Sequence, residues 1–385
     1  VVPFMQGEKR CYPDGLIKVT RGARVWTALV EVKTGKNELQ PEQLESYLDI
    51  AREQGFDALI TVSNQIPSIA GQHPTKVDKR KLRKVALHHW SWSQVLSTAV
   101  VQKEHRGVSD PEQAWILGEL IRYLEHPRSG ALDFDDMGTN WVTVRDAVVA
   151  GTLRATDKTA PEVAARFDAL LQYVSLRLGR QLGTDVLPVL SRKEQAEPAL
   201  RAQAVLDRMV GQAELAGAIR IPHTVAPIHV VADLRAGRVT VYVDVDAPRE
   251  GRATTRVNWI LRQLKHAPES TRIESFVANS RGGSAAELLS KIREDPSVLV
   301  IDPKKDIRAF RVALTAPMGI KRGRGRGAFI DSVVDLVDDF YGDVVQHLKA
   351  WAPTAPKLRE LAPTPEEKPA LSSTAVSSQD GPEFD

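Results

Sequence analysis

Cysteine is almost missing from this chain: Cys11 is the single one in 385 residues. That excludes an internal disulfide and a cysteine-built metal cluster, and it points to a cytoplasmic compartment. Long apolar runs are missing too. No stretch approaches the roughly 20 residues a membrane-spanning helix needs, and no signal-like segment opens the chain. Charge of one sign does not dominate, because 52 Lys and Arg meet 49 Asp and Glu for a net charge of +3. A balance that small does not announce nucleic acid, so the placement of the basic residues matters more than their number. No internal repeat is visible. What is present, 42% hydrophobic and 26% charged residues, is the composition of a soluble globular protein long enough for two or three domains.

The most informative residues are Asp14, Glu31 and Lys33. Leu16 to Thr20 and Arg24 to Val32 are rich in β-branched and apolar residues, and Arg21-Gly22-Ala23 between them supplies a turn with a glycine for positive φ. An ungapped hairpin sets Asp14 opposite Glu31, with Cβ atoms roughly 5 Å apart on one face. Lys33, two residues on, shares that face, while Val32 points into the packed side. Two carboxylates so placed suit one divalent ion such as Mg²⁺ (or Mn²⁺), which needs few protein ligands; the Val32 carbonyl is a further candidate. The ion polarises a phosphoryl oxygen and acidifies a water, and the lysine orients that water or stabilises charge as the bond breaks. Glu-x-Lys alone is a common exposed strand pattern, so its neighbours carry the argument. After Lys33 come a Thr34-Gly35-Lys36-Asn37 turn and a helix opened by Pro41, in which Gln43 and Tyr47 share one face. Apolar runs at Asp57 to Ser63 and Val85 to Trp90 follow, so the order is strand, strand, helix, strand, strand.

Over roughly residues 8 to 100 these features resemble the PD-(D/E)XK nuclease superfamily, and the Gln-x-x-x-Tyr helix is similar to that of its RecB-like and λ-exonuclease-like branch. The resemblance implies an α/β, mixed-sheet restriction-endonuclease-like core, with Asp14 and Glu31 as metal ligands and Lys33 as the catalytic lysine. It also implies that Gln43 and Tyr47 face the site or the DNA. The larger arrangement resembles actinobacterial nuclease-related proteins often described as stress-response proteins. Members usually carry an N-terminal helix, often with a further acid, whereas here only Glu8 stands upstream. The sequence is therefore expected either to begin inside a longer protein or to lack part of the site. The functions this leaves open are a Mg²⁺-dependent DNA nuclease, an inactive nuclease-fold DNA-binding or adaptor protein, and a purely structural interaction protein.

Two basic clusters stand out. Lys76, Lys79, Arg80, Lys81, Arg83 and Lys84 precede the strand that ends at Trp90; Lys321, Arg322, Arg324 and Arg326 alternate with glycines before a helix near Ala328. The first is either a solvated loop or a track for a phosphate backbone. The second is either a phosphate cradle at a helix N-terminus or a mobile linker. Asp133, Asp135 and Asp136 are either a cation site or a solvated turn, and the turn is favoured because the glycine and distal glutamate of a calcium loop are missing. Adjacent His88 and His89 on a strand point to opposite faces, which argues against one shared ion.

Four segments are expected: a nuclease-like domain (1–105), a helical middle region (106–218), a C-terminal α+β domain (219–350) and a disordered tail (351–385). Helices are expected near 161–182, 193–216, 252–266, 284–294 and 328–349, and strands at 228–234, 239–245, 272–278, 298–301 and 307–315. Trp141 to Val144 is a short apolar run. The helix carrying Arg252, Arg256 and Arg262 offers a basic side to DNA or to a protein partner.

Overall fold

In the computed structural model, residues 3–6, 9–277 and 284–353 are described. Glu8 and the expected tail beyond residue 353 lie outside them. A ribbon of β1 (Phe4–Gln6) and β2 (Lys9–Cys11) leads into a hairpin, β3 (Gly15–Arg21) and β4 (Arg24–Val32). The pairing runs from Gly15 against Val30 to Arg21 against Arg24, so the turn is the two residues Gly22 and Ala23. Gly22 takes φ +60°, a conformation that favours glycine. Then come α1 (Pro41–Glu53), β5 (Ala58–Ser63) and β6 (Ala86–Ser91), the order the sequence predicts. The sheet is β3-β4-β5-β6, with β4, β5 and β6 parallel.

Alternation and helical spacing fix how these elements pack. β5 is buried along its whole length, as a central parallel strand must be. In α1, Leu44, Leu48 and Ala51 recur at helical spacing and are buried with Leu29 and Leu59 of the sheet. Each fully buried leucine is worth about 1.5–3 kcal/mol, so the helix is clamped over one sheet face. Leu29, Leu59 and Leu87 form one row across the three parallel strands, and Glu31, Thr61 and His89 form the next, two residues nearer the strands' carboxyl ends.

The chain continues through α2 (Trp92–Val100), α3 (Pro111–Glu125), α4 (Trp141–Val149) and α5 (Ala160–Leu182). Next are β7 (Leu187–Pro188), α6 (Arg192–Ala196), α7 (Pro198–Gln212), β8 (Glu214–Arg220), β9 (Ile228–Asp233), β10 (Arg238–Asp246) and α8 (Ala253–Gln263). Last come β11 (Arg272–Val277), β12 (Ser284–Leu288), α9 (Leu289–Glu294), β13 (Ile307–Pro317) and α10 (Phe329–Asp343). The seven strands form one antiparallel sheet, β12-β11-β13-β10-β9-β8-β7. Helices α5, α7 and α10 pack on it, and Trp141, Phe167, Phe310, Phe329 and Phe340 share one core. The protein is thus a mixed α/β molecule with several sheets.

Several elements differ from the sequence reading, each for a local reason. Trp141 to Val144 is the first turn of α4. The 193–216 segment is broken because Pro198 disfavours helix at Glu197, and it ends at Ala213 with φ +59°. Residues from Glu214 belong to β8, so a boundary at 218 falls inside a strand that shares its core with the middle helices. Ser284–Leu288 is an edge strand on β11, where pairing overrides a helix-forming Ala-Ala-Glu-Leu run. Pro296–Leu299 is a 3-10 turn, capped by the Asp295 side chain on the Ser297 N–H.

Candidate active site at the carboxyl ends of the parallel strands

The hairpin register carries Asp14, one residue before β3, to the position opposite Glu31. Its Oδ2 accepts from the Val32 N–H at 2.7 Å, which turns the carboxylate toward the end of β4. Glu31 is only 2% exposed. Its Oε1 accepts from Gln43 Nε2 at 2.9 Å and from the Lys33 ammonium, while its Oε2 is buried with no partner. Burial pushes the Glu31 carboxyl above its ordinary range; the Lys33 hydrogen bond opposes this, and the neighbouring Asp14 charge adds to it. Gln43 also lies 3.1 Å from the Tyr47 hydroxyl, which donates to the Tyr12 carbonyl at 3.2 Å. Asp14, Glu31, Lys33, Gln43 and Tyr47 therefore converge.

A divalent cation fits this donor set. The pair combines a buried, unpartnered oxygen on Glu31 with a second carboxylate beside it, a mismatch of the kind that marks an incompletely satisfied site. Among the described residues no three His, Cys, Asp or Glu side chains gather around one point. An ion held by Asp14 and Glu31 would take its other ligands from backbone carbonyls and water, as Mg²⁺ commonly does. Beside Lys33 a concavity of about 730 Å³ is lined by Thr34, Lys36, Asn37, Gln40 and Gln43, room for an extended ligand.

The sequence reading missed the rest of the row. Thr61, paired with Glu31, meets His89 Nδ1 at 2.8 Å and His73 Nε2 at 2.9 Å. His89 Nε2 faces the Gln65 carbonyl at 2.8 Å and so carries its proton. Thr61 Oγ1 also donates to the His88 carbonyl at 3.2 Å, and His73 Nδ1 lies 2.9 Å from the Thr75 carbonyl and 3.0 Å from the Thr75 nitrogen, so the Thr61 hydroxyl joins both imidazoles in one buried polar cluster. Burial depresses both imidazoles, His89 to about 4. His88 is exposed on the other face. Trp92 and Asn64 were also missed. Trp92 Nε1 donates to the Lys33 carbonyl, and the Asn64 amide donates to the Gly35 and Gly130 carbonyls, at 2.9, 2.9 and 2.8 Å. Parity along β5 and β6 is a usable signal for Thr61 and His89; the loop-borne His73 and Asn64 leave none.

The basic residues do not converge on this centre. Lys76, Lys79, Arg80, Arg83 and Lys84 are exposed, but Lys81 lies 2.5 Å from Asp49 on α1. That flank of the helix is turned away from Gln43. In the glycine-rich loop Arg322 pairs with Asp136 at 3.5 Å, and Arg324 pairs with Asp331 at 2.5 Å. The Gly325 N–H also donates to Asp331, so a carboxylate of α10 already occupies the donors a phosphate would use. Lys321 and Arg326 are exposed. Arg256 is buried against the Ile307 carbonyl and Asp306, and so is not on the outer side of α8. Asp133 and Asp135 are exposed. No protein-family model matches the chain, and no curated protein or solved structure matches it either.

Proposed function

We propose that the four-stranded unit has a restriction-endonuclease-like core and hydrolyses DNA phosphodiester bonds with Mg²⁺ or Mn²⁺. The convergence of the Asp14 and Glu31 carboxylates, with an unpartnered Glu31 oxygen beside the Lys33 ammonium, carries this reading. When bound, the cation supplies charge that offsets the carboxylate pair, polarises a phosphoryl oxygen and acidifies water. Gln43 orients Glu31 through Oε1, and Tyr47 braces Gln43. Lys33 leaves Glu31 to hold the attacking water or to stabilise charge on the phosphate. The exposed Lys76, Lys79, Arg80, Arg83 and Lys84 would contact the DNA backbone. The seven-stranded unit would target the chain to DNA or to a protein partner, in the cytoplasm.

Incubation of the purified protein with plasmid and linear DNA tests it: Mg²⁺-dependent nicking or degradation that disappears in Glu31→Ala and Lys33→Ala is expected. Intact DNA after long incubation across several substrates sinks it. A second reading, an inactive nuclease-fold DNA-binding or adaptor protein in stress response, is favoured by the Lys33 ammonium being spent on Glu31. Salt-sensitive DNA binding without cleavage, unchanged by Glu31→Ala, selects that reading.

A further inference from the structure

The hairpin that carries Asp14 and Glu31 at its root runs on past the rest of its sheet at the other end. β5 joins β4 only from Ala28 onward. The pairs Val19 with Trp26, Thr20 with Val25 and Arg21 with Arg24 therefore form a two-stranded ribbon that extends roughly 10 Å further. Residues 19–26 are all exposed, so both faces of the ribbon are open. Val19 and Val25 are 51% and 52% exposed and Trp26 is 37% exposed, an apolar surface that a two-stranded ribbon in water cannot cover by itself.

The charge of this ribbon has one sign. From Gly15 to Val30 the chain places Lys18, Arg21 and Arg24 and no Asp or Glu. These three equal the whole formal excess of +3, so the rest of the chain is balanced. Arg21 stands directly opposite Arg24, an arrangement in which like charges repel. Among the described residues no carboxylate meets either guanidinium. A charge on an edge strand such as β3 guards against strand addition, but that does not account for Arg24 on the inner strand, facing Arg21. The pair calls for an anion from outside the chain. The same end of the sheet adds to it: Ala28, Ala58 and Ala86 share one row, so the exposed Arg83 and Lys84 before β6 lie at the level from which the ribbon projects.

We infer that residues 19–26 are an arm that enters the major groove of duplex DNA. The groove is about 12 Å wide and admits a two-stranded ribbon, and its two walls cover both faces of the arm at once. Arg21 and Arg24 lead at the turn and reach guanine edges on the groove floor. Val19, Val25 and Trp26 follow and meet thymine methyl groups and the apolar side of the sugars. A single strand stacks on one face and leaves the other bare. A membrane would receive the arginines first, which is costly in hydrocarbon. The arm lies about 23 Å along β4 from Glu31, so it goes beyond the cleavage reading and holds whether or not the chain cuts DNA.

Fluorescence anisotropy of the full chain with a labelled duplex of about 24 base pairs, in EDTA so that no cleavage intervenes, tests it. Saturable binding is expected, weaker by at least about tenfold in the variant carrying Arg21→Ala and Arg24→Ala, the loss of two base contacts. Both side chains are exposed at the turn, so the variant should melt with the wild type. Wild type is expected to protect guanine N7 atoms of the duplex from dimethyl sulfate, and the variant is not. Equal duplex affinity in wild type and variant overturns the inference, and so does the absence of duplex binding at low salt. Tighter binding of the single strand of the same sequence overturns it in favour of unpaired bases. Arginine-dependent binding to phosphatidylserine vesicles without duplex binding overturns it in favour of a membrane. Because the titration needs neither metal nor turnover, this inference and the nuclease reading fail separately.

Discussion

The indole Nε1–H of Trp92 donates to the carbonyl oxygen of Lys33 at 2.9 Å, tying the first turn of α2 to the end of β4. The Lys33 N–H is held by the Val62 carbonyl at 2.8 Å. Both backbone polar groups of the candidate catalytic lysine are thus fixed. Trp92→Phe removes one of these bonds, worth about 1 kcal/mol, and leaves the sheet pairing intact. Turnover is expected to fall about tenfold with little change in KM, because Trp92 acts through Lys33 and not on substrate. A variant with unchanged turnover in steady-state kinetics would remove Trp92 from the site.

Gln43 donates to Glu31 Oε1 and adjoins the Tyr47 hydroxyl. Gln43→Ala leaves Glu31 free to swing and is expected to raise the Mg²⁺ concentration needed for half-maximal cleavage by about 10- to 100-fold, the usual cost of losing a group that orients a ligand. Tyr47→Phe keeps the ring in the core and should shift the same curve much less. Metal titration of cleavage separates these outcomes from a simple loss of folding, which circular dichroism would report.

Which parts were legible in the sequence follows from how local their causes are. Asp14 facing Glu31 could be read because a hairpin turn sets register within a few residues, and Gln43 with Tyr47 because helical spacing is local. Thr61 and His89 beside Glu31 could not be read in the same way. Parallel pairing of β4, β5 and β6 passes through long connections, and no turn fixes its register. Arg322, Arg324 and Arg256 looked like nucleic-acid contacts by sequence, yet their partners Asp136, Asp331 and Asp306 lie elsewhere in the chain or on another element. Ser284–Leu288 read as helix because local propensity says so, and only the neighbouring β11 makes it a strand.

Glu31 should cost stability at neutral pH. Its folded carboxyl is harder to ionise than the ordinary glutamate value of 4.5, through burial first. Stability tied to it is fully present below 4.5 and is lost as pH rises through the raised folded value. Glu31→Gln is therefore expected to melt higher than wild type at neutral pH without divalent cation. The difference should vanish near pH 4. Scanning calorimetry at the two pH values checks it; a lower melting temperature for Glu31→Gln at neutral pH contradicts it.

The two basic clusters should behave differently on substitution. Lys79, Arg80, Arg83 and Lys84 are exposed, and replacing all four with Ala is expected to weaken DNA binding and flatten its salt dependence. The slope falls by about 0.9 for every phosphate that is no longer neutralised. Arg324 is bonded to Asp331 and lies near the Phe134 carbonyl. Arg324→Ala is expected to lower stability by no more than about 1 kcal/mol, because the Arg324 side chain is more than a third exposed and water screens the pair, with the salt slope unchanged. Binding isotherms at several salt concentrations, beside urea denaturation, read both quantities.

His89 sets the acid limit of the fold. Its Nε2–H is committed to the Gln65 carbonyl and its Nδ1 meets the Thr61 hydroxyl in a buried cluster shared with His73, so a second proton would bury an unpaired charge there. Burial is the main cause that depresses it from 6.5 to about 4. A depressed folded value means stability that is fully present above 6.5 and is lost as pH falls through about 4. The drop corresponds to about 3 kcal/mol, and His73 is depressed in the same direction by burial. His89→Gln can keep an acceptor for Thr61 and a donor for Gln65 without titrating. Its urea stability is expected to change less than that of wild type between pH 7 and pH 4.5, while ring carbon shifts of His89 stay constant down to about pH 5. A His89 resonance that titrates near 6.5 would show that the imidazole is not locked in this cluster, and the acid limit would then have to come from other groups.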